Sequence, residues 1–179
     1  WTGPAPMKPY CVDRVHKPQS YDRPGWMRCR GTSEGVITNW GTHLLDVAQL
    51  ANNTERTGPV SVEGTGKFGT GIWDVLQTFK VQYQYANGVT LDYLTDQDRA
   101  YIRIEGDEGW IFAPWIGRDR LEAHDEQILR IKQKDFKIQI PQREDKQDFI
   151  YAIKNNCTTM VDAEVGHRAC SMGQIGHIA

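Results

Sequence analysis

Asn39, His43 and Asp46 stand at i, i+4 and i+7 in the stretch "TNWGTHLLD". In a helix that spacing puts all three on one face. An imidazole moves a proton near neutral pH. A neighbouring amide positions a hydroxyl or orients the ring, and a carboxylate fixes the tautomer. The spacing equally describes a partly buried histidine with hydrogen-bonded neighbours, and both readings stay open. Upstream, "MKPYCVDRVH" supplies Lys8, Tyr10, Arg14 and His16. The first three could hydrogen-bond a polyhydroxylated or acidic ligand, and each is also an ordinary loop residue. Trp26 and Trp40 could stack on a sugar face or fill a core. His167 and Arg168 read as members of an internal ion pair rather than catalysts, and His124 as a solvated strand residue. No Ser/His/Asp, H-E-x-x-H or P-loop arrangement occurs, and no metal site is expected.

A second pattern asks for a cofactor. "EGTGKFGTG" holds G-x-G-x-x-G at Gly64, Gly66 and Gly69, after the β-friendly "PVSVE". Asp92 follows at roughly the 20-residue distance of a dinucleotide fingerprint. Such a loop needs a helix N-terminus behind it to hold the pyrophosphate. Here a strand pattern follows instead. Phe79, Val81, Tyr83 and Tyr85 alternate with Lys80, Gln82 and Gln84, and Asn87-Gly88 then signals a hairpin. The glycines therefore read as joining two antiparallel strands, and Asp92 as a solvent-facing strand residue.

The elements that must position these residues follow from periodicity. Residues 1–34 are proline-rich and irregular. A helix is expected over 35–52, with Ile37, Gly41, Leu44, Ala48 and Ala51 as its apolar stripe and Ser33 or Thr32 as its cap. Val89, Leu91 and Tyr93 make the return strand of the first hairpin. "AYIRIEGDEGWIFA" predicts a second hairpin turning at Gly106–Gly109, and "LEAHDEQILRIK" and "FKIQIP" predict edge strands. Helices return in "KQDFIYAIKNN", with Phe149, Ile150 and Ile153, and in "AEVGHRACSMGQIGHIA".

The chain has 179 residues, 39% hydrophobic and 25% charged, which suits one soluble domain, or one and a small appendage, able to bury a core. Its net charge of −2 comes without a basic block, which argues against nucleic acid. No apolar run reaches the roughly 18 residues of a membrane span. Four cysteines without a C-x-x-C pair read as free thiols, which fits a reducing compartment. The chain opens on Trp1 without an initiator Met and stops at Ala179 without a helix cap, so a processed chain or excised fragment is expected.

Five stretches occur in a telling order: "GPAPMKPYCVDRVH", "GVITNWGTHLLDVAQ", "YQYANGVTLDY", "IEGDEGWIF" and "AEVGHRACSMGQIGHIA". Together they resemble the C-terminal domain of the glucose–fructose oxidoreductase / inositol dehydrogenase / rhizopine-catabolism (Gfo/Idh/MocA) family, over nearly the whole chain. The resemblance implies an α+β fold, a largely antiparallel open sheet with helices packed on one face. Residues 1–179 would form the substrate-binding and oligomerisation domain, with 1–34 as an irregular active-site segment. An N-terminal Rossmann domain, absent from this chain, would bind most of an NAD or NADP and carry the catalytic lysine of a Glu-Lys-Pro motif. Lys8-Pro9 lacks the preceding Glu and is not that lysine.

The family's helix motif, Asp-x-Gly-x-His or Asp-Trp-Gly-x-His with a trailing Asp, reads here Asn39-Trp40-Gly41-Thr42-His43, then Asp46. The likeness makes His43 the proton-transfer residue and Asn39, Asp46, Lys8, Tyr10, Arg14 and His16 substrate-binding. Asn39 departs from the usual Asp, and an amide holds a hydroxyl but cannot act as a base. The implied function is an NAD(P)-dependent oxidoreductase acting on a sugar or polyol, this half being inactive alone. Two alternatives stand beside it: an NAD-dependent glycoside hydrolase of the same family, and a non-catalytic sugar-binding or assembly module. Implied partners are a small sugar or polyol and further copies of the chain, docking through an open sheet face on which Tyr83 and Tyr85 would be covered. The implied compartment is the cytoplasm, or the periplasm where an export signal lies upstream.

Overall fold

The computed structural model describes residues 3–18, 23–95, 100–114, 120–137, 139–141 and 143–179. Trp1, residues 19–22 of the proline-rich stretch and Ile138 of "FKIQIP" lie outside them. The chain gathers into two units, residues 1–95 with 166–179, and residues 96–165. Both are built from helices and antiparallel strands, an α+β fold.

In the first unit, β1 (Ser61–Phe68), β2 (Leu76–Gln84) and β3 (Thr90–Leu94) form an antiparallel sheet in that order. The hairpin joining β2 to β3 turns where Asn87-Gly88 predicts. Gly88 N–H donates to Tyr85 O at 3.0 Å, and Gly88 supplies a φ of 87°. Besides a single turn, α1 (Val12–Val15), two helices belong here: α2 (Val36–Ala51) and α4 (Ala163–Ile178). The core joins Ile37 and Leu45 of α2 and Met172 of α4 to Leu76, Phe79, Val81, Tyr83, Tyr85 and Tyr93.

This arrangement corrects the role expected for the tyrosines. Tyr83 is 0% exposed and Tyr85 5%, packed beneath the unit's own helices rather than on an open face. A strand with one apolar and one polar side turns the apolar side to whatever covers it, and here α2 and α4 do so. The opposite side is polar: Gln82 donates to Asp92 at 2.8 Å, and Thr90 donates to Gln84 at 2.9 Å. Each buried hydroxyl is satisfied. Tyr83 donates to Met172 O at 2.8 Å, Tyr85 to Gln49 Oε1 at 2.7 Å, and Tyr93 lies 3.3 Å from both Val36 O and Ile37 O. Burial pushes all three phenols up, that of Tyr85 to about 12.

The helix at 36–51 forms as expected, with two adjustments. Its buried row is Ile37, Gly41, Leu45 and Gln49, a strict i, i+4 line, while Leu44 and Ala48 are half-buried and Ala51 is exposed. Neither Ser33 nor Thr32 caps it. Gly35 holds the N-cap position at φ 82°, and Ser33 Oγ accepts from Gly35 N–H at 3.0 Å. A β-carbon at Gly35 would stand 2.8 Å from a Val75 methyl.

The glycine triplet is a strand feature. Gly64 and Gly66 lie inside β1, only Gly69 enters the connection, and β2 comes next with no helix between. A β-carbon on Gly66 would meet Leu76 Cδ1 and Thr78 O at 2.8 Å, so close packing accounts for the residue. Asp92 is exposed on β3, as expected.

In the second unit, β4 (Tyr101–Gly106) and β5 (Gly109–Pro114) pair antiparallel and turn at Gly106↔Gly109, as predicted. Of the two expected edge strands, "LEAHDEQILRIK" keeps only β6 (Glu122–Ala123), then makes a 3₁₀ turn at Ile128–Arg130. "FKIQIP" forms no strand among its described residues. In α3 (Asp145–Asn155), Phe149, Ile150 and Ile153 are 60%, 52% and 65% exposed, whereas Asp148 and Ala152 are buried. Asp148 accepts from Met160 N–H at 2.7 Å and Arg143 Nε at 2.9 Å. Those two bonds hold its carboxyl below the usual range.

Tyr83→Phe should lower the unfolding free energy by about 0.5–1.5 kcal/mol, because it removes the hydroxyl's bond to the Met172 carbonyl inside the core. Urea denaturation checks this, and an unchanged midpoint would show that the bond contributes nothing.

Candidate functional site

Helix α2 carries Asn39, His43 and Asp46 on successive turns. Gly41 fixes how the helix sits, since a β-carbon there would stand 3.2 Å from the Tyr93 hydroxyl. Ile37 and Leu45 face the core, which turns His43 to solvent and leaves Asn39 and Asp46 half-buried. The Trp40 indole meets the His43 ring edge-on, centroids 6.2 Å apart and planes at 63°. The pair limits the ring's freedom without covering it.

Burial pushes the Asp46 carboxyl above the usual range, and the charge of His43 pulls the other way. Desolvation wins. A half-desolvated carboxylate one turn from an exposed imidazole can orient the ring. The Asn39 amide can donate to and accept from a hydroxyl.

Helix α4 runs beside α2. A β-carbon at Gly173 would stand 2.8 Å from Ile37 O, and Thr42 Oγ lies 3.5 Å from Cys170 Sγ. The sequence gives no sign of this second contact, which places an exposed thiol against the residue preceding His43. Arg168 donates to Thr57 O at 2.6 Å. The four cysteines are free.

The N-terminal segment docks on the β1–β2 connection. Trp73 Nε1 donates to Asp13 O at 3.2 Å, and Arg30 N–H donates to Asp74 Oδ1 at 2.7 Å. Within it, His16 Nε2 and the Tyr10 hydroxyl are 2.9 Å apart, and Arg14 Nη1 donates to Pro9 O at 3.0 Å. Lys8 and Tyr10 are exposed. Among the described residues none of these four hydrogen-bonds to Asn39, His43 or Asp46, so the expected substrate residues form two groups. The packing of Arg14 near the buried Cys29 is a further contact that sequence reading missed, because it spans fifteen positions of irregular chain.

The described residues do not fit a dinucleotide. The glycine triplet runs into β2 and offers no helix N-terminus for a pyrophosphate. No group of three or more His, Cys, Asp or Glu among them could hold a metal. No helix in the described residues is long and apolar enough to cross a membrane. A shallow hollow of about 320 Å³ at the β4–β5 turn, with Arg103, Glu105, Trp110 and His124 in its wall, contains none of the candidate residues.

Asp46→Asn should raise the thermal midpoint at neutral pH. A carboxyl whose folded pKa is raised contributes stability only below its unfolded pKa, and loses it as pH rises through the folded value. The variant's advantage should vanish below the ordinary carboxylate range. Thermal melts across pH check this, and an advantage persisting in acid would contradict it.

Comparisons with known proteins place the chain. Residues 1–179 match the sequence model of the Gfo/Idh/MocA oxidoreductase family, C-terminal alpha/beta domain. A comparison with curated proteins gave no match. Among solved structures, UDP-N-acetylglucosamine 3-dehydrogenase GnnA from Acidithiobacillus ferrooxidans superposes with a TM-score of 0.54 at 19% identity, over 80% of this chain and 46% of that one. Aldose-aldose oxidoreductase from Caulobacter crescentus, complexed with glycerol, gives 0.59 at 15%, over 84% and 46%. An oxidoreductase from Thermotoga maritima gives 0.56 at 14%, over 91% and 47%. At these identities the likeness is one of fold, and the chain spans about half the length of these structures.

Proposed function

The chain belongs to the Gfo/Idh/MocA oxidoreductase family as its C-terminal alpha/beta domain, and from that premise we propose that residues 1–179 form the substrate-binding and oligomerisation domain of an NAD(P)-dependent oxidoreductase acting on a sugar or polyol. One observation carries the reading: the family-like run from Asn39 to Asp46 lies on one helix with His43 turned to solvent. His43 takes the proton of the substrate hydroxyl. Asp46 steadies the ring, and Asn39 holds a second hydroxyl. Lys8, Tyr10, Arg14 and His16 supply further contacts to the substrate. NAD or NADP accepts the hydride and belongs to the other half of the enzyme, since no cradle for it exists among the residues described here. Copies of the chain assemble through the polar face of the β1–β3 sheet. That two of the three neighbours are named as a UDP-N-acetylglucosamine dehydrogenase and an aldose-aldose oxidoreductase supports a sugar substrate.

In the parent protein, with its cofactor-binding half, His43→Ala should lower turnover of an aldose or polyol by about 10²–10⁴-fold, the usual contribution of a general acid–base group. Steady-state kinetics check this, and unchanged turnover removes His43 from the reaction. The 179-residue chain alone should show none, so turnover by it with NAD would overturn the division of labour. Asn39 in the family's Asp position favours a second reading, cleavage of glycosides through a transient keto sugar. Incubating the parent protein with an aryl glycoside separates the two, because aglycone release without net NADH marks the glycosidase.

A further inference from the structure

We infer that the apolar face of α3 is a dimer surface, covered by the same face of a second copy of this chain running antiparallel. A helix of 11 residues is marginal in water and takes most of its stability from the face it buries. In α3 only Asp148 and Ala152 are buried. That row, at i and i+4, docks the helix through Met160 N–H on Asp148 and Cys157 N–H on Ala152 O at 3.1 Å. Phe149, Ile150 and Ile153 also meet at spacings of three and four, so they share another side, and each is more than half exposed. A helix whose larger apolar side lies in water marks a surface made for a partner.

Charge picks out a second copy as that partner. Glu144 and Asp145 stand at the start of α3, and Lys146 and Lys154 flank its apolar residues. All four are exposed, and among the described residues none belongs to an ion pair. Two acids and two bases cancel, so a partner of one strong charge gains nothing here. A twofold axis at the middle of the helix sets the acids of each first turn against Lys154 in the last turn of the other copy. It also brings Lys146 to the carbonyl end of the facing helix, where a cation is favoured. Parallel packing would instead set like charges side by side. Lys146 lies one turn before Phe149 and Ile150, and its stem can run along them. At their exposures the three apolar side chains offer roughly 300 Å², so pairing removes about 600 Å² of apolar surface from water. Homodimer contacts are about 65% apolar, which makes the whole interface about 900 Å². That area lies at the lower edge of specific contacts and suits a weak, reversible dimer.

The inference is independent of the sugar chemistry, and it adds a contact to the sheet-mediated assembly proposed above. The test is sedimentation equilibrium of the 179-residue chain from micromolar to submillimolar concentration. Reversible pairing in that range is expected. Ile153→Lys, at an exposed position, should weaken it by about tenfold or more, with the circular dichroism spectrum unchanged. Asp145→Lys and Lys154→Asp should each weaken it severalfold, and the double variant should restore it. The two positions lie about 13 Å apart along one helix, so restoration reports a contact between copies. A chain that sediments as a monomer throughout overturns the inference, as does unchanged pairing in Ile153→Lys or a double variant no better than the singles. Should the chain stay monomeric while α3 gains protection from hydrogen exchange in the parent protein, that protein's other half is the cover and the second copy is excluded. Lys80→Glu, on the polar face of the β1–β3 sheet, separates the two assemblies. Association lost in Lys80→Glu and kept in Ile153→Lys supports the sheet contact and removes the α3 contact. The reverse leaves the α3 contact standing and removes the sheet from the proposed function.

Discussion

Three tyrosine hydroxyls tie the sheet of the first unit to its helices. Tyr83, Tyr85 and Tyr93 bury their rings against Ile37, Leu45 and Met172, and each hydroxyl ends on an oxygen of α2 or α4. A phenol in a core is tolerable only when its oxygen is paired, so each contact is both apolar and directional. Position and rotation of α2 are thereby set together. Gly41 adds a steric limit, because the Tyr93 hydroxyl takes the space a side chain would occupy. The outward aim of His43 is a consequence of what the opposite side of its helix must do.

The candidate site is electrostatically plain. Burial resists the ionisation of Asp46, and the charge of His43 partly offsets that resistance. Trp40 at the ring's edge supplies shape rather than charge. Lys8 and Arg14 belong to the N-terminal segment, a separate group of candidate residues. The two groups of candidate residues lie on different stretches of chain, each held by its own contacts to the sheet and its connections.

Local periodicity carried the sequence reading a long way. The trio on α2 was readable because its members stand within one helix, and both hairpins because Asn87-Gly88 and Gly106–Gly109 are turn chemistry. Alternation in β2 named the right residues but not the side that would be covered, and Tyr83 and Tyr85 fell on the side nearer the helices. The glycine triplet was readable as a strand feature because strand alternation follows it, but the reason for Gly66, its packing on Leu76 and Thr78, involves partners that sequence order does not reveal. The helix holding Phe149, Ile150 and Ile153 was expected, but nothing in the sequence told that the structure would bury Asp148 and Ala152 rather than these three, with Asp148 held by Met160 and Arg143. Contacts between distant positions, Thr42 with Cys170 or Arg14 with Cys29, leave no local signature.

The packing of α4 against α2 also bears on how the chain is made. The core of the first unit takes Ile37 and Leu45 from near one end of the sequence and Met172 from near the other, with residues 96–165 of the second unit between them. Contacts of such separation meet the entropy of closing a long loop before they gain anything. On a ribosome adding roughly 5–20 residues per second, the β1–β3 sheet waits several seconds for α4 to emerge. During that interval the Tyr83 hydroxyl has no Met172 carbonyl to reach, and part of the apolar face of β2 is open. The first unit therefore completes its core only after the second has been synthesised, and a chaperone able to shield an aromatic strand face would find its target in that window.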